Sequence, residues 1–481
     1  MTSATSTRDP APTVAPVVAR PRQSTPRWLR WAVLGGIVVV ALGVRWWFLD
    51  VETLDYRAFL SRWYSTLDDQ GFGAFRERFA DYNYPYLYLL WLLTVAKIPA
   101  LVGIKAVSIA FDLVLGFFAY RIVALRTDRF WVRASALGAV LLLPSVIANS
   151  SYWGQADSIY TACAVGGVYF LLRAQRDAWR RNSVWACVLF GLAISFKLQA
   201  VFVLPVLAWM LLRRRLPWYA LLAVPAVYLA LDLPAVVAGA SWQTALSVYL
   251  DQTDSYQQLT LGAANLYQLI PIDGDATWLA HLGIASAAAV IAVFLAWSVW
   301  RRPAVTPTSI LVVATASSVI VPFLLPAMHD RYFYVAEVLT VITAFYLPLR
   351  FVIIPILVQA AAIGVYHSSL TGDQGQAMGG PGGGTGPGAG RGMPQAPGAG
   401  ADRAGGGQPG LGGSAGGGRL PGGSGGHGGS GGGYSSGRGD GELAIYASMM
   451  GLAALGVVYA VVDTFRRTGS RVASRVGPTG S

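Results

Sequence analysis

Charge is scarce in this sequence. Only 12% of its 481 residues are Asp, Glu, Lys or Arg, against about 25% in an average soluble domain. Lysine is rarer still, at three positions, Lys97, Lys105 and Lys197. There are 2 cysteines, Cys163 and Cys187, and both fall inside apolar runs, where a thiol behaves as a small hydrophobe. That excludes a disulfide framework and a cysteine metal cluster. The 4 histidines are far apart, so no metal signature is present and no metal is expected. A phosphate-cradling P-loop and a dinucleotide glycine fingerprint are also missing, so no cofactor is expected. The net charge of +12 suggests nucleic acid until the basic residues are placed: most of them hug the ends of apolar runs, so nucleic acid is not an expected partner.

What the chain has in abundance is apolar length. Hydrophobic residues make up 54% of it, in recurrent runs of about 15 to 23 residues, which marks an all-α polytopic membrane protein. The runs predict about twelve transmembrane helices, near 29–49, 104–125, 133–148, 157–172, 184–197, 199–212, 216–238, 277–300, 305–326, 333–349, 351–367 and 443–464. Alternate connections then carry the arginines: 8 to 30, "RTDRFWVR", "RAQRDAWRR", "RRR", Arg301 and Arg302, Arg350, and Arg466 onward. The positive-inside rule makes that side cytoplasmic and puts both termini there. The stretch "YPYLYLLWLLTVAKIPAL" tests this scheme, because a span there would reverse every later loop. With about 15 apolar residues between its prolines it is short for a crossing and is expected to be a juxtamembrane or re-entrant helix, the alternative being a thirteenth span.

The expected organisation is a disordered tail over 1–28, a membrane domain over 29–370, a glycine-rich extracytoplasmic segment over 372–441, a last helix over 443–464 and a tail over 465–481. The segment 372–441 holds most of the chain's 56 glycines and almost nothing apolar. Such a composition buries too little surface to offset its ordering entropy, so it is expected to be a slack tether whose deletion leaves activity intact.

In a chain this poor in charge, polar clusters on the outer connections stand out. "LDYRAFLSRW" sets Asp55 and Tyr56 just beyond the first span, ahead of apolar and aromatic residues at helical spacing that suit an interfacial helix. A carboxylate there can accept a proton from a hydroxyl while a lipid-borne substrate stays in the membrane; alternatively it merely balances Arg57, Arg62, Arg76 and Arg78. "YWGQADS" supplies Trp153, Gln155 and Asp157, the last also placed to be a helix N-cap. "FKLQA" holds Lys197 between apolar stretches, either facing an anion or snorkelling to headgroups. "MHDRY" packs His329, Asp330, Arg331 and Tyr332 into a tight turn suited to a lipid phosphate, unless Asp330 and Arg331 simply pair.

Together "DYRAFLSRW", "DYNYPYLYLLWLL", "WGQADS", "FKLQA" and "MHDRY" resemble the GT-C class of membrane glycosyltransferases, over roughly residues 30–370. These use polyprenyl- or dolichyl-phosphate-linked sugars, and the closest likeness is to bacterial relatives of the GPI mannosyltransferases. The resemblance implies Asp55 as catalytic base, with His329, Arg331 and Lys197 at the donor phosphate. It implies Tyr56, Asp81, Tyr84, Trp153, Gln155, Asp157, Gln199, Asp330 and Tyr332 as substrate-binding residues. Two departures are Tyr84-Pro85-Tyr86 for the usual "YPP" and Asp330 for the usual Glu. The implied reaction is inverting transfer of a hexose, mannose first among the candidates, to an extracytoplasmic glycan, glycolipid or protein. Lysine-poor, Ala- and Arg-rich usage is that of a GC-rich bacterium, so the membrane is expected to be its plasma membrane. A lipid or solute transporter is the rival reading, but transporters usually bind near the midplane and show repeated halves, and no internal repeat is evident.

Overall fold

The computed structural model describes residues 25–255, 257–371 and 433–475. Most of the expected N-terminal tail, residues 372–432 of the glycine-rich segment and the last residues of the C-terminal tail lie outside them.

The chain is helical. α1 (Arg27–Trp46) is followed by a π-helical turn, Tyr56–Leu60, then α2 (Ser61–Gln70) and α3 (Tyr84–Val95). α4 (Ala100–Ala124), α5 (Phe130–Leu141) and α6 (Pro144–Ile147) lead into a second π-helical turn, Ala148–Trp153. Next come α7 (Asp157–Ala174), α8 (Trp179–Phe196), α9 (Pro205–Leu212), α10 (Ala223–Ala238) and α11 (Trp242–Ser255). A two-residue strand, β1 (Thr260–Leu261), precedes α12 (Thr277–Arg301) and α13 (Pro307–Leu324); β2 (Met328–His329), α14 (Tyr334–Ala344), α15 (Ile353–Thr371) and α16 (Gly441–Arg475) complete the described chain.

Helices stand at all twelve expected positions, yet among the described residues seven are long and apolar enough to cross a membrane, or eight if the pair α5 and Pro144–Trp153, bent by 46°, counts as one. The difference has a physical cause. α9 and α14 are short and largely buried among other helices, and a helix wrapped by protein need not match the bilayer's thickness. α7 and α8 open on polar residues, Asp157 and then Arg180, Arg181 and Asn182. α3, with 12 residues, is about 18 Å long, short of the roughly 30 Å hydrocarbon core.

α7 is the central post. Nearly all of it is buried, and it packs on α4 and α8. Small residues allow the close approach: a Cβ at Gly167 would lie 2.8 Å from the Phe190 ring of α8. Both cysteines are buried free thiols in this region. Because α7 begins at Asp157 and α8 ends at Phe196, next to Lys197, these two residues share one end of the molecule and the arginine-bearing α7–α8 connection occupies the other.

That other end is knitted from basic connections. Trp179 Nε1 donates to the Arg215 carbonyl at 2.9 Å, Arg213 Nη2 to the Pro303 carbonyl at 3.0 Å, and Arg350 pairs with Asp463 at 2.7 Å. Arg126 stacks over Tyr346, whose hydroxyl donates to the Ile122 carbonyl at 2.6 Å.

β1 and β2 pair in parallel, Thr260 opposite Met328 and Leu261 opposite His329. The end of the glycine-rich segment joins them. Leu259 N–H donates to the Ser435 carbonyl, Ser435 N–H to the Gln257 carbonyl, and Ala276 N–H to the Tyr434 carbonyl, at 2.7 to 2.9 Å. Gln268 accepts from Gly439 N–H on its side-chain oxygen and gives its Nε2–H to Thr260. The expectation of a slack tether therefore does not hold for Tyr434, Ser435, Arg438 and Gly439, which are hydrogen-bonded to residues 257–276. Gly437, at φ +63°, runs so close that a Cβ there would fall 2.1 Å from the Thr260 carbonyl oxygen. Gly437→Val is accordingly expected to displace β1 and, through it, His329, and to lower activity roughly tenfold or more, as small misplacements of reacting groups do. Trimming 380–425 should leave turnover near wild type, and equal activity of the two variants would refute the coupling.

Candidate active site

Asp55 sits at the start of the first π-helical turn, with Trp153 and Gln155 flanking the end of the second. Such bulges re-aim side chains and are frequent at functional sites. Gly154, at φ +78°, lets the backbone turn between Trp153 and Gln155 so that both side chains reach one carboxylate. Trp153 Nε1–H donates to Asp55 Oδ2 at 3.0 Å and Gln155 Nε2–H at 2.6 Å. Arg331 Nη1–H, from 276 residues further along the chain, reaches the same oxygen at 3.4 Å. Oδ1 accepts no hydrogen bond among the described residues, and the side chain is 27% exposed.

The other acids of the loop behave differently. Glu52 pairs with Arg57, and Asp68 with Lys97, at exposed positions. Of these, Glu52 meets one of the arginines named for surface balance, whereas Asp55 meets Arg331 instead.

Arg331 is the hub. Besides Asp55 it meets Asp330 at 3.6 Å and Asp157 at 3.9 Å, and its guanidinium lies 5.4 Å from the centre of the Trp153 ring. Burial opposes its charge, but Asp55 and Asp330 hold its pKa well above the ordinary value. Its Nε–H is buried without a hydrogen-bond partner among the described residues. Asp157 is 1% exposed and is not an N-cap: its oxygens take Lys197 Nζ and, at 2.9 Å, Asn149 Nδ2. Lys197 is buried rather than snorkelling, with Tyr82 and Tyr160 rings 5.5 and 5.9 Å away. Gln199 is buried nearby in sequence, its Oε1 without a partner.

His329 is held by the β1–β2 pairing. Ala327, at φ +57°, makes the turn before it, a strained backbone for a residue with a Cβ. The imidazole lies against the Tyr332 ring, tilted by 53°, with centroids 5.1 Å apart. Burial, then Arg331 and Lys197, push its pKa down to about 3 from the ordinary 6.5. The site therefore holds three carboxylates (Asp55, Asp157, Asp330), two cations (Lys197, Arg331) and a neutral imidazole. With three acidic side chains beside Lys197 and Arg331, what the cluster offers an anion is directed donors. Burial raises the Asp330 pKa, against Arg331.

The neutral state has a pH signature. His329 in the folded chain resists protonation that the unfolded chain accepts below pH 6.5, so its contribution to stability is complete above that pH and is lost as pH falls toward about 3. Thermal unfolding in detergent at pH 7 and pH 5 should show a larger loss for the wild type than for His329→Gln; an unchanged difference would mean that the imidazole is already charged.

Not every expected residue joins this cluster. Tyr84 is buried against Phe75 and Tyr88, on the α2–α3–α10 core whose α10 carries the buried Asp232. Asp81 is exposed, and Tyr56 is half-buried. Tyr82, next to Asp81, is the residue that reaches Lys197.

Sequence reasoning also missed the supports. Lys105 Nζ binds the carbonyls of Phe48 and Val51 at 2.7 and 2.6 Å, fixing the chain that leads to Asp55. Thr53 Oγ1 donates to the Trp153 carbonyl at 3.1 Å. Arg45 and Ser150 converge on Asp112 at 2.9 and 2.6 Å, tying α1 to the second π-helical turn. Tyr366 packs edge-on against Trp153 at 5.3 Å and donates to Glu337 at 3.2 Å. Among the described residues no three His, Cys, Asp or Glu side chains gather as metal ligands would.

No curated protein matches the chain. A model of glycosyltransferase family 87 matches residues 82–326, just over half of it. The matched stretch contains Trp153, Gln155, Asp157 and Lys197; Asp55 lies before it and the turn from His329 to Tyr332 just after, brought to it by the fold. The finding gives the transporter reading no support. On this match the chain belongs to glycosyltransferase family 87, a family of membrane glycosyltransferases.

Proposed function

We propose that the protein is an inverting glycosyltransferase that moves a hexose, mannose by preference, from a polyprenyl-phosphate-linked donor to a hydroxyl of a glycan, glycolipid or protein outside a bacterial plasma membrane. The observation that carries this reading is the meeting of Asp55 with Arg331. A carboxylate fixed through one oxygen, the other accepting no hydrogen bond among the described residues, is paired with a guanidinium whose buried Nε–H makes no hydrogen bond there. The basic connections at the opposite end of the molecule support assigning that end to the cytoplasm.

In the reaction Asp55 Oδ1 takes the proton of the acceptor hydroxyl as its oxygen attacks the anomeric carbon. The bond from that carbon to the phosphate oxygen breaks, and the electron pair leaves with the polyprenyl phosphate. A phosphate is already a good leaving group, so it needs charge stabilisation rather than an acid, and one carboxylate suffices where glycosidases use two. Arg331 provides bidentate N–H groups, His329 a neutral donor, and Lys197 a cation beyond Asp157. No cofactor or metal is proposed, the lipid-linked sugar being a substrate.

The test is direct. Purified protein with radiolabelled polyprenyl-phosphate mannose, glucose or arabinose, and with the corresponding nucleotide sugars, should transfer from a lipid-linked donor alone. Transfer from a nucleotide sugar would overturn the proposal. His329→Gln, which keeps a neutral donor, should stay within about tenfold of wild type, whereas His329→Ala should lose on the order of 10²-fold in kcat, as loss of one donor to developing charge does.

A further inference from the structure

A groove with a volume of about 520 Å³ opens between α1, α4 and α5, at the opposite end of α1 from Asp55. Three arginines line its mouth: Arg27 and Arg30 from the first turn of α1 and Arg121 from the last turn of α4. No carboxylate lines it, and among the described residues none of the three forms an ion pair. Arg30 Nε is buried and has no hydrogen-bond partner among the described residues. Arg121 gives one N–H to the Tyr169 hydroxyl at 2.9 Å. Arg30 lies over the Phe130 ring at 5.8 Å, and Arg121 over Phe117 at 5.7 Å. Below this mouth the walls are apolar, with Leu34 and Val38 on one side and Leu137 and Leu141 on the other.

Three like charges gathered without a counter-charge repel one another, and a buried guanidinium N–H left unpaired is costly. Both costs are relieved by one anion at the mouth. The apolar walls run along helices that cross or line the membrane, so the same ligand must continue into hydrocarbon. Guanidinium groups suit phosphate through planar, bidentate donation. We infer that this groove binds an anionic diacyl phospholipid of the leaflet opposite the active site, its headgroup phosphate between Arg27, Arg30 and Arg121 and one acyl chain along Leu34 and Val38. The lipid fills the gap that α1 leaves against α4 and fastens the helix whose C-terminal end leads to Asp55. The site is separate from the proposed donor site and does not depend on it.

Native mass spectrometry of the full-length protein, released from bilayers mixing phosphatidylglycerol and phosphatidylcholine, tests the site. Wild type should retain phosphatidylglycerol in preference to phosphatidylcholine. The variant R27Q/R30Q/R121Q should bind it on the order of 10²-fold more weakly, at about fivefold per arginine. Val38→Trp, which keeps the arginines and fills the groove, should also reduce retention; if the triple variant does not fold, this one decides. R180Q/R181Q/R214Q, removing exposed arginines of other connections, should change nothing. Equal loss in that control, retention unaffected by Val38→Trp, or preferential retention of a single-chain polyprenyl phosphate would each overturn the assignment.

Discussion

Asp55→Asn is expected to abolish measurable transfer while leaving the fold intact. An asparagine has the same shape, and its amide oxygen can still accept from Trp153 Nε1 and Gln155 Nε2, the two bonds that orient the side chain. What disappears is the oxygen proposed to receive the acceptor's proton and the carboxylate opposite Arg331. A positioned general base is worth about 10² to 10⁴ in rate, or roughly 3 to 5 kcal/mol of barrier. Asp55→Glu keeps the charge but pushes the carboxylate outward by a bond, past Trp153 and Gln155, so it should also be impaired, though less. Trp153→Phe and Gln155→Leu each remove one orienting donor and are expected to cost roughly tenfold. Single-turnover assays with a lipid-linked donor separate these losses from weakened binding. Asp55→Asn retaining a third of wild-type turnover, with normal expression and melting, would remove Asp55 from the role of base.

The cluster around Asp55 was legible because polar groups stand out where charge is rare and the apolar runs end. Asp55, Trp153, Gln155, Asp157, Lys197 and Arg331 stand out in connections expected to lie on one side, and the fold brings those six together. Residues hidden inside apolar runs do not. Lys105, Arg45 and Asp112 do for the approach to Asp55 what caps do for a helix, and the cost of an intramembrane charge that drew attention to Lys197 applied equally to Lys105. The number of spans was less legible, because apolar length alone does not distinguish a helix wrapped by protein, such as α14, from one facing lipid, such as α12. Neither was the protonation of His329, which follows from burial that no sequence pattern states. Composition gave no sign of Tyr434, which packs beside Tyr267 and Leu279 next to the paired strand residues.

Lys197→Met should produce the largest loss of stability of any single change in the site. Asp157 is 1% exposed, and Lys197 is its closest cation. Removing one member of a buried pair costs about 3 to 5 kcal/mol, because a desolvated charge is left uncompensated. Asn149 still donates to Asp157, and Arg331 Nε stands 3.9 Å away, so a cost near the lower end, about 3 kcal/mol, is expected, with a fall in Tm of roughly 5 °C or more. The same loss draws Arg331 toward Asp157 and away from Asp55, whose Oδ2 is 3.4 Å from Nη1, so turnover falls as well. Adding Asp157→Asn removes the orphaned charge and separates the two effects. If Lys197 serves only to neutralise Asp157, the double variant regains both stability and turnover. A lysine that also steadies the departing phosphate predicts recovered melting without recovered turnover, and this is the outcome expected from its place between Asp157 and the Tyr82 and Tyr160 rings. Melting of Lys197→Met indistinguishable from wild type would show that the buried pair contributes nothing to stability.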